Sequence, residues 1–283
     1  MFARFRPGSH GEGKLFVMAK GPRQARTKNE VPYLTRIELL DDRVEDWTKY
    51  PFHLPFLKEL KLDFTAPVTF FVGENGSGKT TLIEAIAELC RLPIGGGGRT
   101  ELADDLKNER PRSRLAAALR PSFRERPWDG YFVRAENLVR LADLLEQRER
   151  DADFRGNPYF SYGGRSLHQR SHGEAFLALF EHRLQPGCIL VMDEPEAALS
   201  PQRQLTLLAQ LHAFVSSGNT QVFIATHSPI LMTFPGSTLF RIEGDAIATT
   251  TLEETSHYHV TRGILENPER YWKHLRVTGE GEG

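Results

Sequence analysis

Eight consecutive residues, Gly73-Glu74-Asn75-Gly76-Ser77-Gly78-Lys79-Thr80, have the types and spacing to hold a polyphosphate. Glycines at 73, 76 and 78 let the backbone curl until successive N–H groups point inward at an anion. The pattern G-x-x-x-x-G-K-T, continued by Thr81, is that of a phosphate-binding loop. Lys79 would set an ammonium against the β- and γ-phosphates, and the Thr80 hydroxyl would ligate the magnesium that bridges them. Three more groups could serve the same chemistry. Asp193-Glu194-Pro195 places two carboxylates at the end of an apolar run, His227 follows another such run, and Ser171-His172-Gly173-Glu174 stands just before a third apolar stretch.

The elements that must position these residues are legible as periodicities. Val68–Val72 suits a strand buried on both faces, and Leu82, Ile83, Ile86 and Leu89 recur at helical spacing behind the loop. Cys188–Pro195 reads as a second buried strand with its carboxylates at the C-terminal end, where open α/β sheets place their ligands. A helix over 201–216 and a strand over Gln221–Ala225 repeat the pattern and deliver His227. This alternation predicts an α/β fold with a mostly parallel sheet flanked by helices. Neighbouring strand residues point to opposite sides, so a bend at Pro195 is expected to bring both carboxylates to one site. An antiparallel portion is expected from strands at Tyr33–Leu40 and Leu60–Phe64 and from a hairpin over 238–253 that turns at Gly244-Asp245. Between the lobes lie a short helix near Ser113–Arg120, a strand from Asp129, a helix over Asn137–Arg150 and a helix over Ala175–Leu184. Ser171 and Glu174 have capping-box spacing before the last of these, which would suffice to explain them as a helix cap. A final helix is expected from about Pro268 to Leu275. The organisation predicted is a basic flexible tail (1–30), a single domain (31–275) and a disordered end (276–283). Within that domain, 31–90 and 185–275 form the core lobe and 91–184 a helical insert.

Composition narrows the class. With 283 residues, 40% of them hydrophobic, the chain can bury a substantial core. The net charge of −1 hides seven Lys/Arg within residues 1–30, where solvated terminal charge is the expected reading and contact with nucleic acid the other. Cys90 and Cys188 are the only cysteines, so the sequence encodes no disulfide framework or zinc site and fits a reducing cytoplasm. No apolar run approaches the roughly 20 residues that cross a bilayer, and the chain is expected to be cytoplasmic and not membrane-inserted. Trp47, Tyr50, Phe52 and Phe56 form a proline-punctuated aromatic loop expected to pack against the sheet.

In their order, these motifs resemble the ABC-type P-loop ATPase superfamily. Within it the chain is similar to the small stand-alone bacterial ATPases that carry the AAA label, relatives of SMC-like DNA-repair ATPase heads and of the ATPase domains of OLD-type antiviral nucleases. The resemblance covers residues 33 to about 245. It implies that Gly73, Glu74, Asn75, Gly76, Ser77, Gly78, Lys79, Thr80 and Thr81 hold ATP and that Thr80 and Asp193 hold Mg2+. It further implies that Glu194 polarises the attacking water, that His227 senses the γ-phosphate, and that Ser171 and Gly173 reach the γ-phosphate held by a second subunit. A homodimer on ATP binding follows from that last role. The sequence also departs from the family pattern. The family signature Leu-Ser-Gly-Gly-Gln is here Arg170-Ser171-His172-Gly173-Glu174, the D-loop equivalent Ala198-Leu199-Ser200 ends in serine, and Arg134–Asn137 stands where a glutamine loop is expected. The function implied is Mg-dependent ATP hydrolysis driving a head-to-tail clamp in nucleic-acid maintenance or antiviral defence, with nucleic acid or a nuclease as partner. Two alternatives remain open: the ATP-binding subunit of a membrane transporter, and a phosphotransferase acting on a small acceptor, in which Ser171 and Gly173 would take no part.

Overall fold

The computed structural model describes residues 31–93, 97–98, 113–134, 137–185 and 187–277. The basic tail expected at 1–30 and the end expected to be disordered from 276 lie outside these residues, apart from Arg276 and Val277. Its strands are β1 (Leu34–Leu39), β2 (Lys61–Asp63), β3 (Val68–Val72), β4 (Gly97–Gly98), β5 (Leu119–Phe123), β6 (Asp129–Arg134), β7 (Cys188–Asp193), β8 (Gln221–Ala225), β9 (Thr238–Glu243) and β10 (Ala246–Thr250). The α-helices are α1 (Lys79–Leu89), α2 (Arg114–Ala118), α3 (Asn137–Arg150), α4 (His172–Ala178), α5 (Pro201–Ser216), α6 (Ser256–Glu266) and α7 (Pro268–Val277).

Among the described residues the strands form two sheets. The larger has the order β10-β9-β3-β8-β7-β6-β4 and the smaller β2-β1-β5. From β9 to β6 every neighbouring pair is parallel, and β10 and β4 close the edges antiparallel. The five residues of β3 and the six of β7 are all buried, which is why both read as unbroken apolar runs and not as alternating strands. Alternation decides which face each side chain serves. Val68, Phe70, Val72, Leu190, Met192, Val222 and Ile224 pack with α3, α4 and α5, whereas Phe71, Ile189, Val191, Phe223 and Ala225 pack with α1 and the small sheet.

On that second face the two sheets are joined by phenylalanines and by one amide. Phe64 meets Phe223 edge-on at 4.9 Å and lies 6.5 Å from Phe71. Gln221, wholly buried, donates to the Leu34 carbonyl and accepts from the Leu34 N–H, both at 2.9 Å, and so satisfies two backbone groups of β1 from the end of β8 remote from the carboxylates.

Two expectations change. The helix foreseen up to Arg120 stops at Ala118, and Leu119–Phe123 is a strand paired with β1. Pro121 is tolerated there because β5 is an edge strand. The segment 91–184 is accordingly not a purely helical insert, since β5 and β6 run back into the two sheets between α2 and α3. A helix that the sequence reading lacked, α6, precedes α7.

Replacing Gln221 with leucine should strand both backbone groups of Leu34 in the core. A loss of about 2–5 kcal/mol is expected from two unsatisfied buried groups, to be read from urea unfolding midpoints. A loss below about 1 kcal/mol would show that β1 finds other partners.

Candidate active site

The loop between β3 and α1 is shaped by what touches it from outside. Gly78 opens α1 at φ 97°, and a Cβ there would lie 2.8 Å from a ring carbon of Phe56 and 2.9 Å from a methyl of Leu54. Gly73 has the Ile242 carbonyl oxygen 2.5 Å from where its Cβ would stand. Glycine is therefore demanded at both ends of the loop by close approach as well as by conformation. Glu74, Asn75 and Gly76 form its exposed tip, with Ser77, Thr80 and Thr81 half-buried. Lys79 is buried and donates to the carbonyls of Gly73 at 2.8 Å and Glu74 at 2.9 Å, so the ammonium sits inside its own loop. Burial lowers its pKa, opposed by the carboxylates of Glu194, Asp193, Glu196 and Glu74. Phe52 and Phe56 of the aromatic segment are buried beneath the loop, whereas Tyr50 is exposed with its hydroxyl 2.8 Å from Thr81 Oγ1.

Asp193 ends β7 on the α1 face, as the alternation from Ile189 and Val191 requires. Thr80 Oγ1 donates to its Oδ1 at 3.3 Å, and Arg134 reaches its Oδ2 at 3.2 Å while bonding Glu84 at 2.6 Å. Burial pushes the Asp193 carboxyl up to about 6, against the pull of Arg134. A hydroxyl and a carboxylate are the hard oxygen donors that suit magnesium. Among the described residues no cluster of three or more His, Cys, Asp or Glu could hold a metal, so phosphate and water oxygens would complete the shell here. Glu194 would point to the opposite face if the strand ran on. Instead its backbone turns left-handed at φ 47° and Pro195 opens a 3-10 turn over Pro195–Ala198. The bend expected at Pro195 thus begins one residue earlier, at Glu194.

Glu194 Oε1 lies 3.3 Å from His227 Nε2. The His227 backbone N–H donates to Glu196 Oε1 at 2.5 Å, and its Nδ1 lies 3.1 Å from His257 Nε2. The structure therefore gathers Lys79, Thr80, Asp193, Glu194 and His227 around one loop. Ser171 and Gly173 belong to a different neighbourhood. Ser171 caps α4 in a full capping box with Glu174, and Arg203 of α5 donates to Ser171 Oγ at 2.7 Å and to Glu174 Oε1 at 3.1 Å. A Cβ on Gly173 would lie 2.5 Å from the Arg203 guanidinium and 3.1 Å from the Ala198 carbonyl oxygen, so this glycine lets α4 meet the turn after Glu194.

Three contributors escaped the sequence reading as site residues: Arg134 on Asp193, Glu196 on His227 N–H, and His257. Arg134 carried a signal, since it stands where a glutamine loop was sought. Glu196 and His257 carried none, because their partners lie 31 and 30 residues away. An ammonium, a hydroxyl, two carboxylates and an imidazole around an anion-binding loop form a set fit for phosphoryl transfer to water.

The chain matches an AAA domain model over residues 51–90 and an AAA ATPase domain model over residues 168–232. No curated protein matches it. Among solved structures it is similar to the ADP conformation of an ATP-binding cassette of an ABC transporter, at 17% identity and a TM-score of 0.49 over 89% of this chain and 100% of the other. It is also similar to the SMC head domain from Thermotoga maritima, at 16% identity and a TM-score of 0.40 over 78% of this chain and 99% of that one. The first family model takes in the loop and α1, and the second runs from just before Ser171 through Asp193 and Glu194 to His227 and beyond. In the two stretches that carry the loop, Asp193, Glu194 and His227, the chain is similar to AAA-type ATPase domains.

Proposed function

We propose that this ATPase is magnesium-dependent and works as a clamp, two copies closing head to tail so that each loop at 73–81 faces Ser171 and Gly173 of the partner. One observation carries the reading: the polar groups fall into two sets. Lys79, Thr80, Asp193, Glu194 and His227 surround one loop, while Ser171 and Gly173 open a helix end whose hydrogen bonds run to Glu174 and Arg203. An accessible hydroxyl at a helix N-terminus suits an anion delivered by another molecule.

In this reading Lys79 exchanges its two loop carbonyls for the β- and γ-phosphate oxygens of ATP. Thr80 and Asp193 hold magnesium, which when bound offsets charge on those phosphates. Glu194 orients the attacking water and takes up its proton. His227, within reach of Glu194, reads the presence of the γ-phosphate. Hydrolysis removes the group that both copies grip, and the clamp opens. Its setting is nucleic-acid maintenance or antiviral defence, with nucleic acid or a nuclease as partner. Support for that setting is the likeness of the motif order to SMC-like and OLD-type ATPases, together with the seven Lys/Arg of residues 1–30.

Glu194→Gln should keep ATP binding and lower turnover by about 10²–10⁴-fold, because the amide preserves shape and removes the base. In ATP and magnesium the variant should accumulate as a dimer by light scattering, while Lys79→Ala should weaken nucleotide binding itself. Wild-type turnover in Glu194→Gln would take that carboxylate out of the mechanism.

Ser171→Arg and Lys79→Ala should each inactivate a homodimer, yet a mixture should regain activity. In a mixed dimer the intact loop of one copy faces the intact Ser171 of the other. Random pairing puts one good site in about half the dimers, giving a ceiling of roughly a quarter of wild-type turnover if the sites act independently. ATP-dependent dimerisation of the mixture, measured alongside, guards against sites that act only together. Folded, exchanging proteins that recover neither readout would leave Ser171 a helix cap and favour the monomeric phosphotransferase.

A further inference from the structure

Beside the Ser171 end of α4 the surface opens into a cavity of about 490 Å3 lined by Gly163, Arg165, Gln169, Arg170 and Glu174. The chain that builds it is anchored on both sides. Tyr162 and Leu167 are buried, Gly163 and Gly164 turn left-handed at φ 83° and 73°, and the Gly164 N–H donates to the Tyr159 carbonyl at 2.8 Å. A Cβ at Gly163 would lie 2.6 Å from the His182 ring, so the turn is pressed onto the segment that follows α4. Ser166 then caps a 3-10 turn over Leu167–Gln169 by accepting from the His168 N–H at 3.3 Å, and the chain runs on into Arg170 and Ser171. Arg165 is thereby presented to the cavity from a braced loop.

The charges around this cavity do not balance. Glu174 is the one carboxylate among the lining residues, and it is already engaged: Oε2 accepts from the Ser171 N–H at 2.9 Å and Oε1 from Arg203 at 3.1 Å. Arg170 donates from Nη2 to the Tyr162 carbonyl at 3.0 Å, a neutral acceptor. Arg165 is exposed and pairs with no group among the described residues. Two guanidiniums therefore line a concave surface whose only carboxylate is matched by a third. That is the electrostatics of an anion site, and the guanidinium fork fits phosphate oxygens two at a time. The cavity shares Glu174 with the capping box of Ser171, so a phosphate brought to the Ser171 hydroxyl stands at its rim. Ser171 offers that phosphate a hydrogen bond but no charge, whereas phosphoryl transfer spreads negative charge over the oxygens of the moving group.

We infer that Arg165 is a catalytic residue supplied in trans: its guanidinium binds the γ-phosphate of the ATP held by the other copy's loop at 73–81, with Arg170 as a fixed cationic wall beside it. The inference rests on the head-to-tail clamp proposed above. It adds to Ser171 the positive charge that a hydroxyl lacks, from a side chain that no partner within its own chain holds back.

The test uses the full chain. Arg165→Ala should lower turnover about 10³-fold, the scale of an arginine supplied in trans, while its affinity for a fluorescent ATP analogue stays within about twofold, because Lys79 and Thr80 still hold the nucleotide. Arg165→Lys, which keeps the charge and loses the fork, should retain about tenfold more turnover than Arg165→Gln. Mixing reads the trans assignment. Arg165→Ala with Lys79→Ala should regain up to roughly a quarter of wild-type turnover, because the one loop with an intact Lys79 then faces the one intact Arg165. An arginine that served its own subunit's ATP would give no recovery. Undiminished turnover in Arg165→Ala overturns the inference, as does Arg165→Lys performing no better than Arg165→Gln. So does an Arg165→Ala mixture that regains neither turnover nor ATP-dependent dimerisation while the Ser171→Arg mixture regains either. Recovery by neither mixture brings down the clamp reading itself, and the inference with it. Weakened binding of a fluorescent oligothymidylate by Arg165→Ala, with turnover intact, overturns the inference by giving the cavity to nucleic acid. If Arg165→Ala does not fold by circular dichroism, Arg165→Gln takes its place in the mixture.

Discussion

Two backbone hydrogen bonds just beyond the ends of the parallel strands hold the site together. The Glu194 N–H donates to the Ala225 carbonyl at 2.9 Å, and the Thr226 N–H donates to the Phe71 carbonyl at 3.1 Å. They extend the sheet ladder by one step past β7 and β8, exactly where regular pairing would otherwise stop constraining the chain. The loop lies more than 100 residues before the carboxylates and the histidine, yet each group stands at the end of a strand, or within two residues after it, whose lateral position is already set. The cost of ordering the site is thus shared with the cost of forming the sheet. Small displacements of one strand end must be carried by its neighbours, because buried strands packed on both faces do not slide independently.

Charge is handled with the same economy. Around Lys79 stand Glu74, Asp193, Glu194 and Glu196, a surplus of negative groups that an isolated ammonium does not neutralise. Hydrogen bonds absorb part of the excess. Burial raises the pKa of Asp193 and of Glu196, the latter accepting from the His227 N–H. Arg134 spans Asp193 and Glu84, a bridge between β7 and α1 whose loss would leave a buried carboxylate uncompensated. The Lys79 contacts to its own loop carbonyls show how the cation is kept satisfied by the backbone it shapes.

Much of this was legible in the residues because the relevant signals are local. A strand buried on both faces announces itself as five apolar or β-branched residues, and a phosphate-binding loop announces itself through glycine spacing. β7, β8, α5 and the β9–β10 hairpin follow from similarly short-range patterns. Where legibility failed, the cause was a missing face or a distant partner. Leu-Arg-Pro-Ser-Phe at β5 carries a proline that argues against a strand until its edge position is known. The sequence of α6, with β-branched and aromatic residues and Gly263 inside it, has weak intrinsic helicity and buries no apolar stripe, so neither propensity nor periodicity reveals it. Arg134, Glu196 and His257 act through partners far along the chain, and a single sequence contains no term that couples such positions.

The segment after α4 sets an angle as well as a path. Leu179–Arg183 winds as a π turn, closed by the Leu184 N–H donating to the Leu179 carbonyl at 2.9 Å, five residues back. Each residue of an α-helix advances its side chain by about 100°, and a π turn takes up one residue more per turn. The extra residue therefore fixes the rotational phase between the Ser171 end of the helix and the point where the chain leaves it at Leu184. Losing one residue here would restore ordinary helical winding and turn that exit by about a quarter of a revolution relative to Ser171, with every motif still present in the sequence.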